Sequence, residues 1–186
     1  MVKSASPRPR LDANAWIDAA LEALGAEGPA AVRVEALAKR LSVTKGSFYW
    51  HFRDREDLLH RALDAWATAR IAAIAEQAHG GDDPAATLDG LLSLYTKSPN
   101  PRGLAVELSI RALARQNEAA AAATARVDEA RLAQVAALFE RQGMDTAEAA
   151  ARALLFYSFL FGQSLLGGTR RNTAIARAAR RILAAS

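Results

Sequence analysis

A chain of 186 residues that is 51% hydrophobic has a globular rather than a disordered composition, and about a quarter of it is alanine against 11 glycines and 6 prolines, a bias toward the best helix former. It contains no cysteine, which excludes a disulfide scaffold, thiolate metal ligands and a thiol nucleophile. The net charge of +4 is distributed as +3 over residues 1–53, −5 over 54–148 and +6 over 149–186, so two basic ends flank an acidic middle and a polyanionic partner is permitted.

The opening residues MVKSASPRPR lack the apolar core of a secretion signal, so a cytoplasmic protein is expected. Residues 1–11 read as an arm in which Arg8 and Arg10 either follow a minor groove or stay disordered. Helical periodicity then runs through nearly the whole chain, with no alternating run to support a strand. A first helix is expected from Asp12 as N-cap, with the stripe Trp16, Ile17, Ala20, Leu21 and Leu24 and its stop at Gly25. Gly28 and Pro29 force a turn, and a short second helix carries Val34, Leu37, Ala38 and Leu41. Leu41-Ser42-Val43-Thr44 leaves no room for a long loop, and Thr44 reads as the N-cap of a third helix.

The segment Thr44-Lys45-Gly46-Ser47-Phe48-Tyr49-Trp50-His51-Phe52 is the most informative in the chain. A tight turn between two short helices fixes a steep crossing, with Leu37, Leu41, Val43, Phe48 and Phe52 to lock the pair. That leaves Lys45, Ser47, Tyr49 and His51 as outward donors, beside a glycine that lets a ligand approach the backbone and a helix start that favours phosphate. A helix-turn-helix entering a major groove needs these features. The competing reading is a tight corner in a helical bundle, with Tyr49 and Trp50 as core aromatics.

The run VEALAKRLSVTKGSFYWHFRDREDLL, residues 34–59, resembles the recognition region of the tetracycline-repressor (TetR) family of bacterial transcription regulators, and the resemblance extends from about Asp12 to His60. It implies an all-α fold of about nine helices, with a helix-turn-helix head over 12–55 (motif about 33–52) and a ligand-binding and dimerisation domain over 56–186. It also implies that Arg33, Thr44, Lys45, Gly46, Ser47, Tyr49, Trp50 and His51 face DNA, while Phe48 and Phe52 are structural. Two positions depart from the family pattern. Arg33 stands where Ser or Thr usually opens the second helix, and it reaches phosphate but cannot cap. Ser42 stands where the turn usually has Gly, so the turn must accept a Cβ.

Asp54 and Asp57 form a capping arrangement at the start of a long fourth helix with the stripe Leu59, Ala62, Leu63, Trp66 and Ile74, ending before His79-Gly80-Gly81. In the family this helix links head to body; its pattern fits equally a helix that simply buries one face. Asp83 and Pro84 open a fifth helix carrying Leu88, Leu91, Leu92 and Tyr95, closed by Ser98-Pro99-Asn100-Pro101. A sixth helix is expected from about Arg102 to Gln116, and a seventh from about Asn117 to Gly143. The resemblance implies a small-molecule pocket among the fourth to seventh helices, with Trp66, Tyr95, Glu107 and Phe139 as candidate lining. Glu107 interrupts an apolar context; the preferred reading is a solvated glutamate paired with Arg111 at i+4 rather than a ligand group.

Asp145 and Glu148 open an eighth helix that is apolar nearly all round through Ala153–Phe161. The charge-free stretch to Gly168 contains Ser158, Gln163 and Ser164 and is too short and polar for a membrane span. It is expected instead to be shared between its own core and a second copy, through Leu155, Phe156, Phe159, Leu160, Gly162, Gln163 and Leu166, with Ile175 and Ile182 from a ninth helix. The family dimerises through this helix pair, and two-fold symmetry predicts a palindromic site on double-stranded DNA. The terminal cluster Arg170, Arg171, Arg177, Arg180 and Arg181 reads as a solvated face or a set of pairs with the acidic middle, not as a second DNA site.

Enzyme readings find no support: Gly162-Gln163-Ser164-Leu165-Leu166-Gly167 has the wrong spacing and context for a nucleophile elbow. His51, His60 and His79 lack metal-ligand spacing. No cofactor or metal is expected. The sequence therefore reads as a homodimeric, ligand-responsive regulator, expected to repress from a palindromic operator. The alternatives are a regulator without small-molecule sensing and a dimeric helical scaffold that has lost DNA binding.

Overall fold

The computed structural model describes residues 12–78, 82–97, 100–165, 178, 181 and 182. Among them the chain is helical with no strand: α1 (Ala13–Glu27), α2 (Val34–Arg40), α3 (Lys45–Phe48), α4 (Arg55–Ala78), α5 (Pro84–Lys97), α6 (Pro101–Leu113), α7 (Glu118–Glu140) and α8 (Thr146–Leu165). The expected ninth helix lies almost wholly outside the described residues.

The caps read from the sequence are formed. Asp12 Oδ1 accepts from Ala15 N at 2.9 Å, Asp83 Oδ1 from Ala85 N at 2.9 Å and Asp145 Oδ1 from Glu148 N at 2.9 Å. Each satisfies an amide that the first helical turn leaves unpaired. Asn117 does the same for α7 through Ala120 N at 2.9 Å. At the start of α4 two aspartates take part. Asp57 N donates to Asp54 Oδ1 at 2.8 Å, the N-cap half of a capping box, while the Asp57 carboxylate accepts from the amide of Arg53, the residue before the cap, at 3.0 Å.

One stop is misplaced in the sequence reading. Helix α1 continues through Gly25 to Glu27, and Gly28, at φ 84°, ends it by donating its N–H to Leu24 O at 3.0 Å. Gly25 is instead a contact residue, because a Cβ there would stand 2.7 Å from Val106 Cγ2. Its missing side chain lets α6 come close.

The chain forms two compact units. The first holds residues 12–66 and 101–123. Its core is built from Trp16, Ala20, Leu24, Leu37, Phe48, Phe52, Leu58 and Leu63, all at most 2% exposed. Helix α1 packs against α2 and, most extensively, against α6. This partition differs from a boundary at 55/56, since α6, distant in sequence, is built into the same unit as α1 to α3.

The second unit holds the described residues of 67–100 and 124–186. Leu88, Leu91 and Leu92 of α5, Val135, Leu138 and Phe139 of α7, and Ala149, Ala153, Phe156, Tyr157 and Leu160 of α8 form one core cluster. Arg131, only 2% exposed, lies 5.2 Å from the Phe161 ring centroid and 5.9 Å from that of Tyr157. Its charge is accommodated by ring faces and by Asp128 at 3.6 Å. Among the described residues no helix is long and apolar enough to cross a membrane.

Candidate nucleic-acid interface

The candidate interface starts from a turn that departs from the commonest chemistry. Helix α2 ends as Leu41 N donates to Leu37 O at 2.9 Å; Ser42 N then donates to Lys39 O at 3.1 Å and Val43 N to Ala38 O at 3.0 Å. Ser42 occupies φ 56°, the left-handed region in which a side chain is disfavoured by about 1–2 kcal/mol. The turn keeps its glycine-type geometry and accepts the Cβ, as the sequence requires.

Helix α3 follows at once, with Thr44 extended at the N-cap position. Its expected capping bond is absent. Ser47 instead folds its Oγ onto Thr44 O at 2.8 Å, and Ser47 N shares that acceptor at 3.1 Å. Ser47 is therefore committed to closing the helical turn as well as lying on the candidate surface.

Phe48 and Phe52 anchor this segment from beneath at 0% and 2% exposure. Their rings stack with centroids 5.3 Å apart, Trp16 meets Phe48 edge-on at 5.3 Å, and the Arg61 guanidinium lies 5.2 Å from the Phe52 centroid. Two further contacts hold the surrounding loops. Arg55 donates from Nε to Val32 O at 2.6 Å and from Nη2 to Pro29 O at 3.2 Å. Asp57 accepts from Arg53 N and from Arg61 Nε at 3.1 Å, and the Arg53 amide, then the Arg61 side chain, hold its carboxyl below the usual carboxylate value against the opposing effect of burial.

Above that anchor the surface is polar and aromatic. Tyr49 is 55% and Trp50 72% exposed, which removes the reading of both as core aromatics. Tyr49 makes a T-shaped contact with Phe48, the ring centroids 5.2 Å apart, which orients its ring while more than half of the residue stays exposed. His51 is half-buried, edge-on to Phe52 at 6.3 Å. Arg33 is exposed at the extended N-cap position of α2 without capping it, and Gly46 presents open backbone, its nearest heavy atom to a built Cβ being Thr44 Oγ1 at 3.8 Å. Phe48 and Phe52 are thus buried and Tyr49 and Trp50 exposed, whereas Ser47 and His51, expected to face outward, and Leu41 and Val43, expected in the core, are half-buried.

Lys45 brings a partner that sequence reasoning missed. Its Nζ lies 2.5 Å from Glu35 Oε1, with the two side chains 52% and 66% exposed. This contact holds the Glu35 carboxyl below, and the Lys45 ammonium above, their ordinary values. Ten residues and a turn separate them, so no helical spacing announces the pair.

The candidate effector residues are divided between the two units, Trp66 and Glu107 in the first and Tyr95 and Phe139 in the second. Trp66 is 6% exposed, Phe139 is fully buried in the second unit's core, and the Tyr95 side chain lies outside the described residues. Glu107 corrects the preferred expectation. Its partner is Arg111 as anticipated, at 3.0 and 3.2 Å, but at 2% exposure it is buried rather than solvated, because its helix is packed into the first unit. An open groove of about 650 Å³ lies in the second unit, lined by Gln77, Asp82, Asp83, Ala86, Thr87, Gly90, Leu91 and Leu94, none of them a candidate.

On α8 the expected self-association face divides. Leu155 is 59% exposed, as is neighbouring Leu154 at 58%, whereas Phe156 and Leu160 are buried at 1% and 5% in their own chain and are not presented to a second copy. Phe159 and Gly162 are half-buried. Ile182 is exposed, while the Gln163 side chain and the whole of Leu166 and Ile175 lie outside the described residues, as do Arg8, Arg10, Arg170, Arg171, Arg177 and Arg180.

A buried aromatic anchor beneath a short exposed helix, closed by a tight turn from the helix before it, defines a DNA-binding helix-turn-helix protein. Residues 17–62 match the model of the bacterial regulatory proteins of the tetR family. Over those residues the chain is similar to the DNA-binding region of that family, which supports a transcriptional regulator.

Solved structures share the fold over almost the whole chain. A TetR-family member from Streptomyces coelicolor is 24% identical, covering 95% of this chain and 96% of its own at a TM-score of 0.68. A TetR-family transcriptional regulator from Agrobacterium tumefaciens is 17% identical (91% and 96% covered, TM-score 0.72), and a TetR transcription regulator from Haloarcula marismortui is 20% identical (92% and 93%, TM-score 0.71). No curated protein matches.

Proposed function

We propose that the protein is a dimeric repressor that binds a palindromic operator in the cytoplasm and is released by a small-molecule effector. The observation that carries this reading is the exposure of Tyr49 and Trp50 directly over the buried Phe48 and Phe52. Exposed aromatics in the middle of a well-packed segment have little structural use and suit contact with a partner. In this reading Tyr49, His51 and Arg33 bind phosphate, Lys45, Trp50 and the Gly46 backbone approach the groove, and Thr44 and Ser47 shape the turn. The head comprises residues 12–55, preceded by an arm, and residues 56–186 serve effector binding and dimerisation.

Dimerisation is proposed on the exposed side of α8, where Leu155 and Gly162 lie on one face beside Leu154 and Phe159. Symmetry would then set two recognition helices against successive major-groove faces. An effector that engages Glu107 or Phe139 must displace existing packing or the Arg111 pair. Such a ligand has a built-in means of coupling binding to conformation, with couplings of this kind worth about 1–3 kcal/mol.

Selection of binding sequences from random duplex DNA by the purified protein, at physiological salt, tests the reading. Enrichment of a palindrome supports it. A stable dimer that enriches nothing and binds duplex weakly and without salt dependence favours a helical scaffold instead.

A further inference from the structure

We infer that Glu35 is a positioning residue for Lys45 that lowers affinity for duplex of arbitrary sequence and thereby sharpens discrimination at the operator; this rests on the DNA-binding reading above. Lys45 is the first residue of α3, and its ammonium is in direct contact with the carboxylate of Glu35 in the first turn of α2. Both side chains are largely exposed, so the pair is held by geometry rather than by burial, and exposed ion pairs are weak enough for a phosphate to compete.

The competition has two outcomes. If Lys45 stays with Glu35, the couple carries no net charge toward the polyanion. If Lys45 moves to a phosphate, a bare carboxylate is left beside the same backbone. In neither case does Lys45 add a full positive charge to the sequence-independent binding that counterion release drives. The pair retains direction, because an ammonium tethered on one side keeps its remaining donors aimed, and a base edge rewards a fixed donor whereas a backbone phosphate accepts a mobile one. Lowering of the Glu35 carboxyl by the Lys45 bond keeps the opposing charge in place at neutral pH.

The test measures affinity for the selected operator and for a random-sequence duplex between about 50 and 200 mM salt, using the wild type, Glu35→Gln, Lys45→Gln and the double variant. All four are first checked for unchanged thermal unfolding. Glu35→Gln should bind the random duplex more tightly and steepen its salt dependence by about 0.9 log unit per head, a change of about 3.5-fold in its advantage over wild type across that range. The operator-to-random ratio should fall, and in the Lys45→Gln background the Glu35→Gln effect should disappear. An effect that persists without Lys45 reflects general charge and overturns the inference, as does a wild-type salt slope unchanged by Glu35→Gln; both leave the DNA-binding reading intact. No binding of wild type to either duplex overturns both.

Discussion

Gly25 of α1 lies directly against Val106 of α6: a Cβ built on Gly25 would stand 2.7 Å from Val106 Cγ2 and 3.1 Å from the Val106 backbone nitrogen. The first contact can ease by side-chain movement; the second cannot. Helix α6 is therefore seated on α1 by an absence of side chain, within the unit that also contains the recognition segment.

Gly25→Ala should accordingly destabilise the protein by about 1–3 kcal/mol, although alanine is the better helix former by about 1 kcal/mol. Val106→Ala in the same background should restore part of the loss by removing the nearer atom. Urea unfolding of the two variants decides the point, and a Gly25→Ala protein more stable than wild type would show that the helices separate freely.

Ser42 supplies the opposite case. Its φ of 56° carries a side chain where glycine fits better, so Ser42→Gly should raise stability by about 0.5–1 kcal/mol after allowing for the greater freedom of glycine in the unfolded chain. Ser42→Val should lower it. Thermal unfolding of both, run beside the wild type, reads the sign directly.

Asp57 ties acid sensitivity to the start of α4. Its pKa in the folded protein is depressed, chiefly by the Arg53 amide and then by Arg61, so its contribution is present above the usual carboxylate value of about 4 and is lost as pH falls through its lower folded value. Asp57→Asn should lower the unfolding midpoint at neutral pH and flatten its decline below about pH 4. Parallel acid profiles for the two proteins would remove Asp57 from the account.

On α8, Leu155 stands exposed while Phe156 beside it is buried. Leu155→Glu should therefore weaken self-association by at least about tenfold, equivalent to about 1.4 kcal/mol, without unfolding the chain, whereas Phe156→Ala should cost about 3–5 kcal/mol of stability. Sedimentation over a concentration series, with circular dichroism on the same samples, separates the two effects.

What was legible in the sequence follows from what is local. Asp12, Asp54, Asp83 and Asp145 announce their helices because a cap depends on residues two or three positions apart, and Phe48 and Phe52 separate from Tyr49 and Trp50 by helical register. The Gly25 reading failed for a nonlocal reason, since a glycine that permits a close helix contact looks the same in sequence as one that ends a helix. Thr44 stands at the N-cap of α3 as read, but without a side-chain capping bond. The i+4 partner of Glu107 was readable, but its burial depended on where α6 packs. For α8, an apolar surface on every side gave no means of telling Phe156 and Leu160, which face inward, from Leu155, which does not.

The central claim is that the segment over Phe48 and Phe52 contacts DNA, and Tyr49→Phe tests it most directly, because the ring in contact with Phe48 is kept and only the hydroxyl of this exposed residue is removed. The measurement is the Kd of wild type and variant for the selected duplex by fluorescence anisotropy, with thermal unfolding as the control. A hydrogen bond from that hydroxyl to a charged phosphate predicts a loss of about tenfold or more at unchanged unfolding temperature. Equal affinity of the two proteins would contradict it.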